Sequence, residues 1–395
     1  MSKLKKKIIL IGNYPPDRQE SMKKFANMLH QGFTSKDFDV EIWNPVTFFG
    51  YGSDPSASSF QKWLGYIDKW MVFPIVLMVR MFINRLKGRR LYFHICDHSN
   101  APYFTILPSG FTSITCHDVL AIRGAFGFTD AYCNSSFTGK LLQKWILNSL
   151  IKFKRIACVS ELTQDQLNQL IGYKSKNIQE LVVIHNAFNH NFRKLDGYVT
   201  RDLLKKIGLD PDESFILHVG SSLERKNRHM LLKMAEELGS KWNGKICFAG
   251  QPLNSSMREY SESAGLSKRI ISIKKPDHAS LVALYNACEA FIFPSFSEGF
   301  GWPVIEAQAC GAPVIASKIE PMPEIGGTAA IYADPNNPSE FAEAFLTLQN
   351  NKIRSELIRS GFENIGRFNA DTMIDAYLDL FGMYQTAING YAYAS

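Results

Sequence analysis

The chain has 395 residues, more than one ordinary hydrophobic core can hold, so we expect two domains of about 150–200 residues each. A hydrophobic content of 46% with 21% charged residues is typical of a globular protein, and from the modest net charge of +7 we expect no nucleic-acid partner. The seven cysteines are scattered and never spaced Cys-x-x-Cys, which argues against a zinc site and indicates a reducing compartment.

The first residues are rich in lysine and lead directly into an apolar strand, Ile8 to Ile11. No apolar signal-peptide core or small-residue cleavage site accompanies them, so we expect a cytoplasmic protein. A helix follows that strand, and further apolar runs alternate with helical patterns as far as residue 185. This alternation predicts an α/β domain with a doubly wound parallel sheet.

Residues 59–90 combine an apolar run, Trp70 to Val79, with neighbouring aromatic residues and a basic end. The run has ten residues, and a helix needs about 20 to cross a bilayer. Two interpretations remain open. The segment either packs on the sheet as a core helix with exposed arginines, or lies in the interface of an anionic membrane as a peripheral contact.

The strand candidate Ser113 to His117 ends in two polar residues, His117 and Asp118. A histidine at the end of a strand is either a hydrogen-bonded rim residue or a group that faces a ligand. Asp118 is suited equally to orienting the imidazole and to capping the next helix.

Turn-rich and charged residues from 186 to 214 predict a linker between domains. A new strand, Phe215 to Val219, then ends at Gly220, and Arg225 and Lys226 follow just before a helical pattern. A glycine after a strand with basic residues before a helix suits a phosphate group, although a solvated basic turn is the simpler interpretation.

The segment 290–316 predicts a strand, a loop, a helix beginning near Pro303 and a second strand. Glu298 lies on the loop, where open α/β sheets bind ligands, and Glu306 follows eight positions later in the helix. Glycines at 299 and 301 allow backbone N–H groups to approach a ligand. Carboxylate acceptors beside amide donors suit a polyhydroxylated, negatively charged molecule.

Glu298, the Gly-Phe-Gly after it, Pro303 and Glu306 resemble the donor-sugar signature of retaining glycosyltransferases of family four. The resemblance implies the GT-B fold, in which two Rossmann-like doubly wound domains face each other across a cleft. It places an acceptor-binding domain at residues 1–195 and a donor domain at 206–372. A last helix at about 373–395 would return to the first domain.

The resemblance also implies roles for single residues. Arg225 and Lys226, with Gly220, would neutralise the diphosphate of a nucleotide sugar. Glu298 would bind hexose hydroxyls alongside the amides of Phe300 and Gly301, Glu306 would hold the ribose, and His117 would lie beside the transferred sugar.

Two departures from the family pattern affect this assignment. Ser221 stands where the family has an arginine, so Arg225 is proposed as its substitute. Asn13-Tyr-Pro-Pro16 replaces the usual glycine pair in the first loop, which puts a phosphate or acceptor contact there in doubt.

The implied reaction is the transfer of a hexose, mannose or glucose, from a nucleotide diphosphate sugar to a glycan or lipid-linked acceptor in cell-surface polysaccharide synthesis. No metal is expected, because the Asp-x-Asp triplets at 37–39 and 210–212 lie in connecting segments before strands. No cofactor is expected either, since the nucleotide diphosphate sugar is itself the donor substrate. Two alternatives remain open: a hydrolase or epimerase of nucleotide sugars with the same fold, and a non-catalytic subunit that binds them.

Overall fold

The protein is described by a computed structural model that covers residues 5–50, 59–133, 135–172, 178–188 and 192–383. The chain divides into two compact units. Unit 1 contains Met1–Phe126, Ser135–Asn186 and Ala370–Ser395, and unit 2 contains Gly127–Asn134 and Ala187–Asn369.

Unit 1 is built on a parallel six-stranded sheet with the strand order β2-β1-β3-β4-β5-β6. Residues Ile8 to Ile11 in the second strand of that order are fully buried, as expected for a parallel strand covered by helices on both faces. The strands are β1 (Lys5–Ile11), β2 (Asp39–Trp43), β3 (Arg89–Ile95), β4 (Thr112–Cys116), β5 (Arg155–Cys158) and β6 (Glu180–Val183).

Helices flank this sheet and bury one apolar side each. In α1, Phe25, Leu29 and Phe33 recur at helical spacing and are fully buried. The helices of unit 1 are α1 (Glu20–Ser35), α2 (Ser59–Ile67), α3 (Phe73–Leu86), α4 (Leu120–Ala125), α5 (Phe137–Leu150) and α6 (Glu161–Ile171), with the last helix of the chain (Ala370–Leu380) added from the far end of the sequence.

The segment 59–90 is partly packed into unit 1 and partly exposed. A π-helical turn, Asp68–Val72, joins α2 to α3, and Phe73 and Leu77 pack into the core of unit 1. The other side of α3 is exposed. Within the described residues, the helices are all too short or too polar to span a bilayer.

Unit 2 contains a second parallel six-stranded sheet, in the order β12-β11-β10-β7-β8-β9. Its strands are β7 (Phe215–Gly220), β8 (Lys245–Gly250), β9 (Ile270–Lys274), β10 (Ala290–Phe293), β11 (Val314–Ser317) and β12 (Ile331–Ala333). The sequence did not predict β12, which is three residues long and has two partly exposed residues, so it lacks the continuous apolar run of a buried strand.

The helices of unit 2 include one that the sequence interpretation missed. Gly197–Lys206 lies inside the predicted linker, where Asp196 caps it by accepting from the Tyr198 amide and Thr200 and Leu204 are buried. The predicted linker is therefore partly wrong, because an N-cap aspartate followed by two buried positions is enough to form a short packed helix. The helices are α7 (Gly197–Lys206), α8 (His229–Leu238), α9 (Ser255–Ser263), α10 (His278–Ala287), α11 (Trp302–Ala309), α12 (Met322–Gly326), α13 (Pro338–Thr347) and α14 (Asn351–Asn364), and α15 is the last helix of unit 1.

Candidate functional site

The predicted site in unit 2 lies where the strand order of its sheet reverses. Chain order runs outward from β7 through β8 and β9 on one side and from β10 through β11 and β12 on the other. Because β7 and β10 are parallel neighbours, the loops after Gly220 and after Phe293 leave the same edge of the sheet side by side. Open α/β sheets bind ligands at this position.

The turn Glu224–Lys226 is fixed to the loop that follows β10. The amide of Phe296 donates to the Arg225 carbonyl at 2.8 Å. The Asn227 side-chain amide donates to the carbonyls of Pro294 at 3.1 Å and Pro335 at 2.7 Å. These bonds cross between three loops, so the basic turn is held in place before any ligand arrives.

The Glu298 carboxylate binds both basic residues of that turn. Arg225 Nη1 lies 2.8 Å from Oε2, and Lys226 Nζ lies 2.5 Å from Oε1. Arg225 Nη1 also donates to the Ser297 carbonyl at 2.9 Å. The structure therefore brings Glu298 together with Arg225 and Lys226, which precede it by 73 and 72 residues in sequence.

This cluster is buried, which strengthens its electrostatics. Glu298 is 7% exposed, and burial alone would raise the pKa of its carboxyl. The charges of Lys226 and Arg225, with their hydrogen bonds, outweigh burial and hold the pKa of Glu298 below its usual value. Glu298 is thus an anion that forms ion pairs with two cations, both of which are suited to binding a diphosphate.

The residues after Glu298 lead into α11. Gly301 is the N-cap of this helix with φ of 102°, and a β-carbon there would lie 2.7 Å from Met322 Cε. A side chain at this position would be strained and would collide with its neighbour. Phe300 and Gly301 therefore lie at the positive end of the helix, as the predicted amide donors require.

Glu306 lies on α11 and is partly buried. Its Oε2 accepts a hydrogen bond from the hydroxyl of Tyr285 at 3.1 Å. Burial, followed by the charge of Glu306, raises the pKa of Tyr285 well above its usual value, so the phenol stays protonated and donates. Tyr285 is a supporting residue that the sequence interpretation did not identify.

Gly220 ends β7 in tight surroundings. A β-carbon on Gly220 would lie 3.2 Å from Nε2 of His218, and one on Gly250 would lie 2.4 Å from the Gly220 carbonyl oxygen. His218 is fully buried and bonds through Nδ1 to the Ile292 carbonyl, so Nδ1 carries the proton. Burial lowers the pKa of His218 to about 3, which keeps the ring neutral beneath the basic turn.

His117 belongs to unit 1, at the end of β4. Its Nε2 bonds to the Cys96 carbonyl at 2.9 Å, which makes Nε2 the donor and leaves Nδ1 as the acceptor of the ring. Burial lowers the pKa of His117, so the imidazole is neutral at neutral pH. Asp118 accepts from the Leu120 amide at 3.1 Å, which supports the capping interpretation.

The sequence interpretation missed a polar cluster near His117. The carboxylate of Asp97, directly after β3, accepts from Asn13 Nδ2 at 2.6 Å and from Ser99 Oγ at 2.8 Å. Nδ1 of His98 lies 3.2 Å from Asp97 Oδ1. Asn13 and Asp97 each follow a predicted strand, and that position was the signal that could have identified them.

The two Asp-x-Asp triplets lie outside the candidate site. Asp212 forms a two-pronged ion pair with Arg201, at 2.8 and 2.9 Å, on an exposed surface. Within the described part of the chain, acidic, histidine and cysteine side chains nowhere form a group of three able to hold a metal ion. The expectation that no metal is needed stays a prediction.

Comparison with known proteins gives a match to a glycosyltransferase family. Residues 199–363 match the family described as "Glycosyl transferases group 1". The family resemblance inferred from the Glu298 and Lys226 motifs is therefore confirmed for this part of the chain.

The curated relatives include two kinds of mannosyltransferase. The "Serotype-specific mannosyltransferase WbdA" of Escherichia coli is 31% identical over 204 residues, which cover 49% of this chain and 25% of the relative. The "O-antigen chain mannosyltransferase RfbU" of Salmonella typhimurium is 24% identical over 259 residues, covering 64% of this chain and 66% of the relative. The chain thus spans less than two thirds of either relative.

A solved structure supports the fold over nearly the whole chain. Anabaena Alr3699/HepE, determined in complex with UDP and glucose, has a TM-score of 0.67 with 16% sequence identity, and the match covers 96% of this chain and 100% of that one. Together with the two parallel six-stranded sheets and their flanking helices, this likeness confirms the predicted GT-B fold.

Proposed function

We propose that the protein is a retaining glycosyltransferase that moves a hexose, mannose or glucose, from a nucleotide diphosphate sugar to a glycan or lipid-linked acceptor of a surface polysaccharide. The observation that carries the proposal is the buried Glu298 carboxylate held by Arg225 and Lys226 beside the start of α11. The two mannosyltransferase relatives support a hexose donor and a glycan acceptor. Anabaena Alr3699/HepE, which was solved with UDP and glucose, supports a nucleotide diphosphate donor.

The proposed chemistry follows from the charges of the site. The bond between the anomeric carbon and the diphosphate oxygen breaks, and its electron pair goes to the departing diphosphate. The acceptor oxygen forms the new bond on the same face of the sugar, and its proton goes to the diphosphate. Arg225, Lys226 and the amides at the start of α11 stabilise the charge that develops on the leaving group.

Donor binding in this proposal requires an exchange of partners. Arg225 and Lys226 bind Glu298 in the structure, and they would have to share their charge with the incoming diphosphate. The released carboxylate oxygens would then accept hydrogen bonds from hexose hydroxyls, Glu306 would hold the ribose, and Nδ1 of His117 would accept from a hydroxyl of the transferred sugar. Neither a metal nor a cofactor takes part.

We extend the proposal to location. A cytoplasmic protein in peripheral contact with a membrane through residues 59–90 would meet a lipid-linked acceptor at the bilayer surface. The exposed side of α3 supports this contact.

The proposed function is tested by a thermal-shift screen of nucleoside diphosphates and their hexose conjugates, because a ligand that binds only the folded protein raises its apparent stability. We expect at least one nucleoside diphosphate to raise the Tm, and the matching nucleotide hexose to be consumed with an acceptor extract. Rapid and complete turnover without acceptor would instead favour a hydrolase. Donor binding with no transfer to any extract would favour a non-catalytic subunit.

A further inference from the structure

The side of α3 that faces away from the sheet is apolar and exposed, and so is Met71 in the turn before it. The large hydrophobic side chains here are between 47% and 72% exposed and recur every three or four residues, which places them on one face of the helix. They are Met71, Ile75, Met78, Val79, Phe82 and Leu86. We call this set the α3 face. Contiguous apolar patches of this kind mark interaction sites in soluble proteins.

The charged residues of α3 and of the segments on either side of it have one sign. From Lys69 to Cys96 the sequence has no acidic residue and six basic ones, at positions 69, 80, 85, 87, 89 and 90. The nearest acid before this stretch, Asp68, is fully buried and accepts from the Tyr14 hydroxyl and from backbone amides at Phe48 to Gly50. Its negative charge is therefore turned inward.

An open cavity of about 490 Å³ adjoins the C-terminal half of α3. Three of the basic residues line it, and Ile83 connects it to the helix. Arg80 lies over the ring of Trp43, with 5.4 Å between the guanidinium carbon and the ring centroid. Glu41 also lines the cavity, but Lys7 at 2.6 Å and Trp43 Nε1 at 2.8 Å already bind its carboxylate. The three basic residues are Arg80, Lys87 and Arg89.

We propose that α3 lies in the interface of an anionic phospholipid bilayer, with the α3 face among the acyl chains and one lipid phosphate in the cavity lined by Arg80, Lys87 and Arg89. Trp63 and Tyr66 of α2, which are 61% and 37% exposed, are side chains suited to the headgroup level of such a bilayer. A second copy of the chain fits less well as the occupant, because a symmetric contact brings two like-charged basic borders together.

This inference deepens the proposed membrane contact by naming the lipid charge and the residues that bind it. It depends on no step of sugar transfer, so binding to vesicles without nucleotide sugar measures it separately. A protein that binds vesicles but transfers no sugar would contradict the proposed function alone. A protein that transfers sugar to a soluble acceptor but ignores vesicles would contradict this inference alone.

The test is flotation of the full chain with vesicles of pure phosphatidylcholine and with vesicles containing one third phosphatidylglycerol. We expect binding to the anionic vesicles, weaker binding at high salt and little binding to the neutral ones. Phe82→Glu should lower the affinity for anionic vesicles at least tenfold, since it places a charge among acyl chains. Tyr198→Glu is the matched control, because Tyr198 is an exposed aromatic residue in unit 2.

The cavity has its own test. Lys87→Gln should weaken anionic binding by about fivefold, the effect of one basic charge at an anionic surface, and reduce its salt dependence. Lys233→Gln on α8 should change neither. Unchanged Tm values for these variants will show that they fold. Equal binding of the Phe82→Glu variant and the parent to anionic vesicles would overturn the inference. It would also be overturned if the parent were a dimer in solution that never binds vesicles, and Phe82→Glu made it a monomer.

Discussion

The polar groups at the ligand-binding edges of the two sheets differ in charge. Each sheet reverses its strand order at one point, between β1 and β3 in unit 1 and between β7 and β10 in unit 2. In unit 2, two cations, Arg225 and Lys226, share one carboxylate. In unit 1, the Asp97 carboxylate is bound by neutral Asn13 and Ser99, and the nearby His117 is neutral. Two units with related topology therefore differ in what their edges can bind.

The difference indicates a division of labour. A surplus of positive charge suits an anionic leaving group, so unit 2 is expected to bind the diphosphate. A cluster that offers hydrogen bonds without surplus positive charge suits sugar hydroxyls, so unit 1 is expected to contact neutral parts of the substrates.

Apart from the loss of transfer expected for Glu298→Gln, the largest effect is expected for Lys226→Ala. Removing one fixed cation from a developing negative charge typically lowers the rate by about 100–1000-fold. We expect this loss in kcat/KM for hexose transfer, with the change visible in kcat. Lys233→Ala, an exposed lysine of α8, is the control and should transfer at the parental rate. Transfer that survives Lys226→Ala within a factor of about three would be inconsistent with the cationic role.

A smaller effect is expected for His117→Ala. Loss of a hydrogen bond that leaves its buried partner unsatisfied costs about 1–3 kcal/mol, or roughly 5–150-fold in kcat/KM. Because burial lowers the pKa of His117, the neutral form persists as the pH falls to about 6.5, the usual value for histidine, and the rate should not drop until the pH is lower. His30→Ala is the control. A rate that rises on acidification and loses this rise in His117→Ala would mean that the protonated ring is the active form.

Each unit also contains a fully buried neutral histidine, His94 in unit 1 and His218 in unit 2. Burial lowers the pKa of both to about 3. An unfolded histidine takes up its proton near pH ~6.5, so between ~6.5 and ~3 the unfolded chain binds more protons and the folded state loses stability as the pH falls. Each histidine should contribute about 1.4 kcal/mol per pH unit to this loss.

Chemical denaturation at several pH values measures that slope. His218→Asn and His94→Asn should each lower the slope by about 1.4 kcal/mol per pH unit, whatever they cost in absolute stability. His30→Asn, at a partly exposed histidine, is the control substitution. A slope that both buried-site variants leave intact would show that these rings are protonated in the folded protein.

The smallest effect is expected for Tyr285→Phe. The phenol donates to Glu306, and losing one neutral donor costs about 0.5–1.5 kcal/mol. We expect KM for the nucleotide sugar to rise by roughly two- to tenfold while kcat changes little. Tyr260→Phe removes a comparable tyrosine bond to Glu236 outside the site and is the matched control. A drop in kcat with unchanged KM would conflict with a ribose-positioning role for Glu306.

Much of the unit 2 site could be predicted from the sequence because its residues lie within short motifs. Lys226 and Glu298 each follow a strand by a few residues, and strands that are recognisable as apolar runs place their loops on one edge. The structure brings Arg225, Lys226 and Glu298 into direct contact. The sequence could not show that Glu298 itself pairs with both cations, since that pairing depends on side-chain distances across 72 residues.

The residues that support the site could not be predicted from the sequence, because their roles depend on tertiary contacts. Asn227 fixes the basic turn through bonds to Pro294 and Pro335, which depend on tertiary contacts between loops. Residues 59–90 gave two interpretations because an apolar run does not reveal which of its faces is covered. In helix α3, Phe73 and Leu77 are buried, and the other apolar residues are exposed or partly exposed.

The central claim is that Arg225 and Lys226 form the diphosphate site, with Glu298 as their internal partner. The most direct test is to titrate the matching nucleoside diphosphate into three proteins: the parent, Glu298→Gln and Lys226→Ala. The account predicts that Glu298→Gln abolishes hexose transfer yet binds the diphosphate about as tightly as the parent or up to roughly fivefold tighter, because the two cations lose a competitor worth on the order of 1 kcal/mol. Lys226→Ala should bind it more weakly. Equal weakening in both variants would contradict the account.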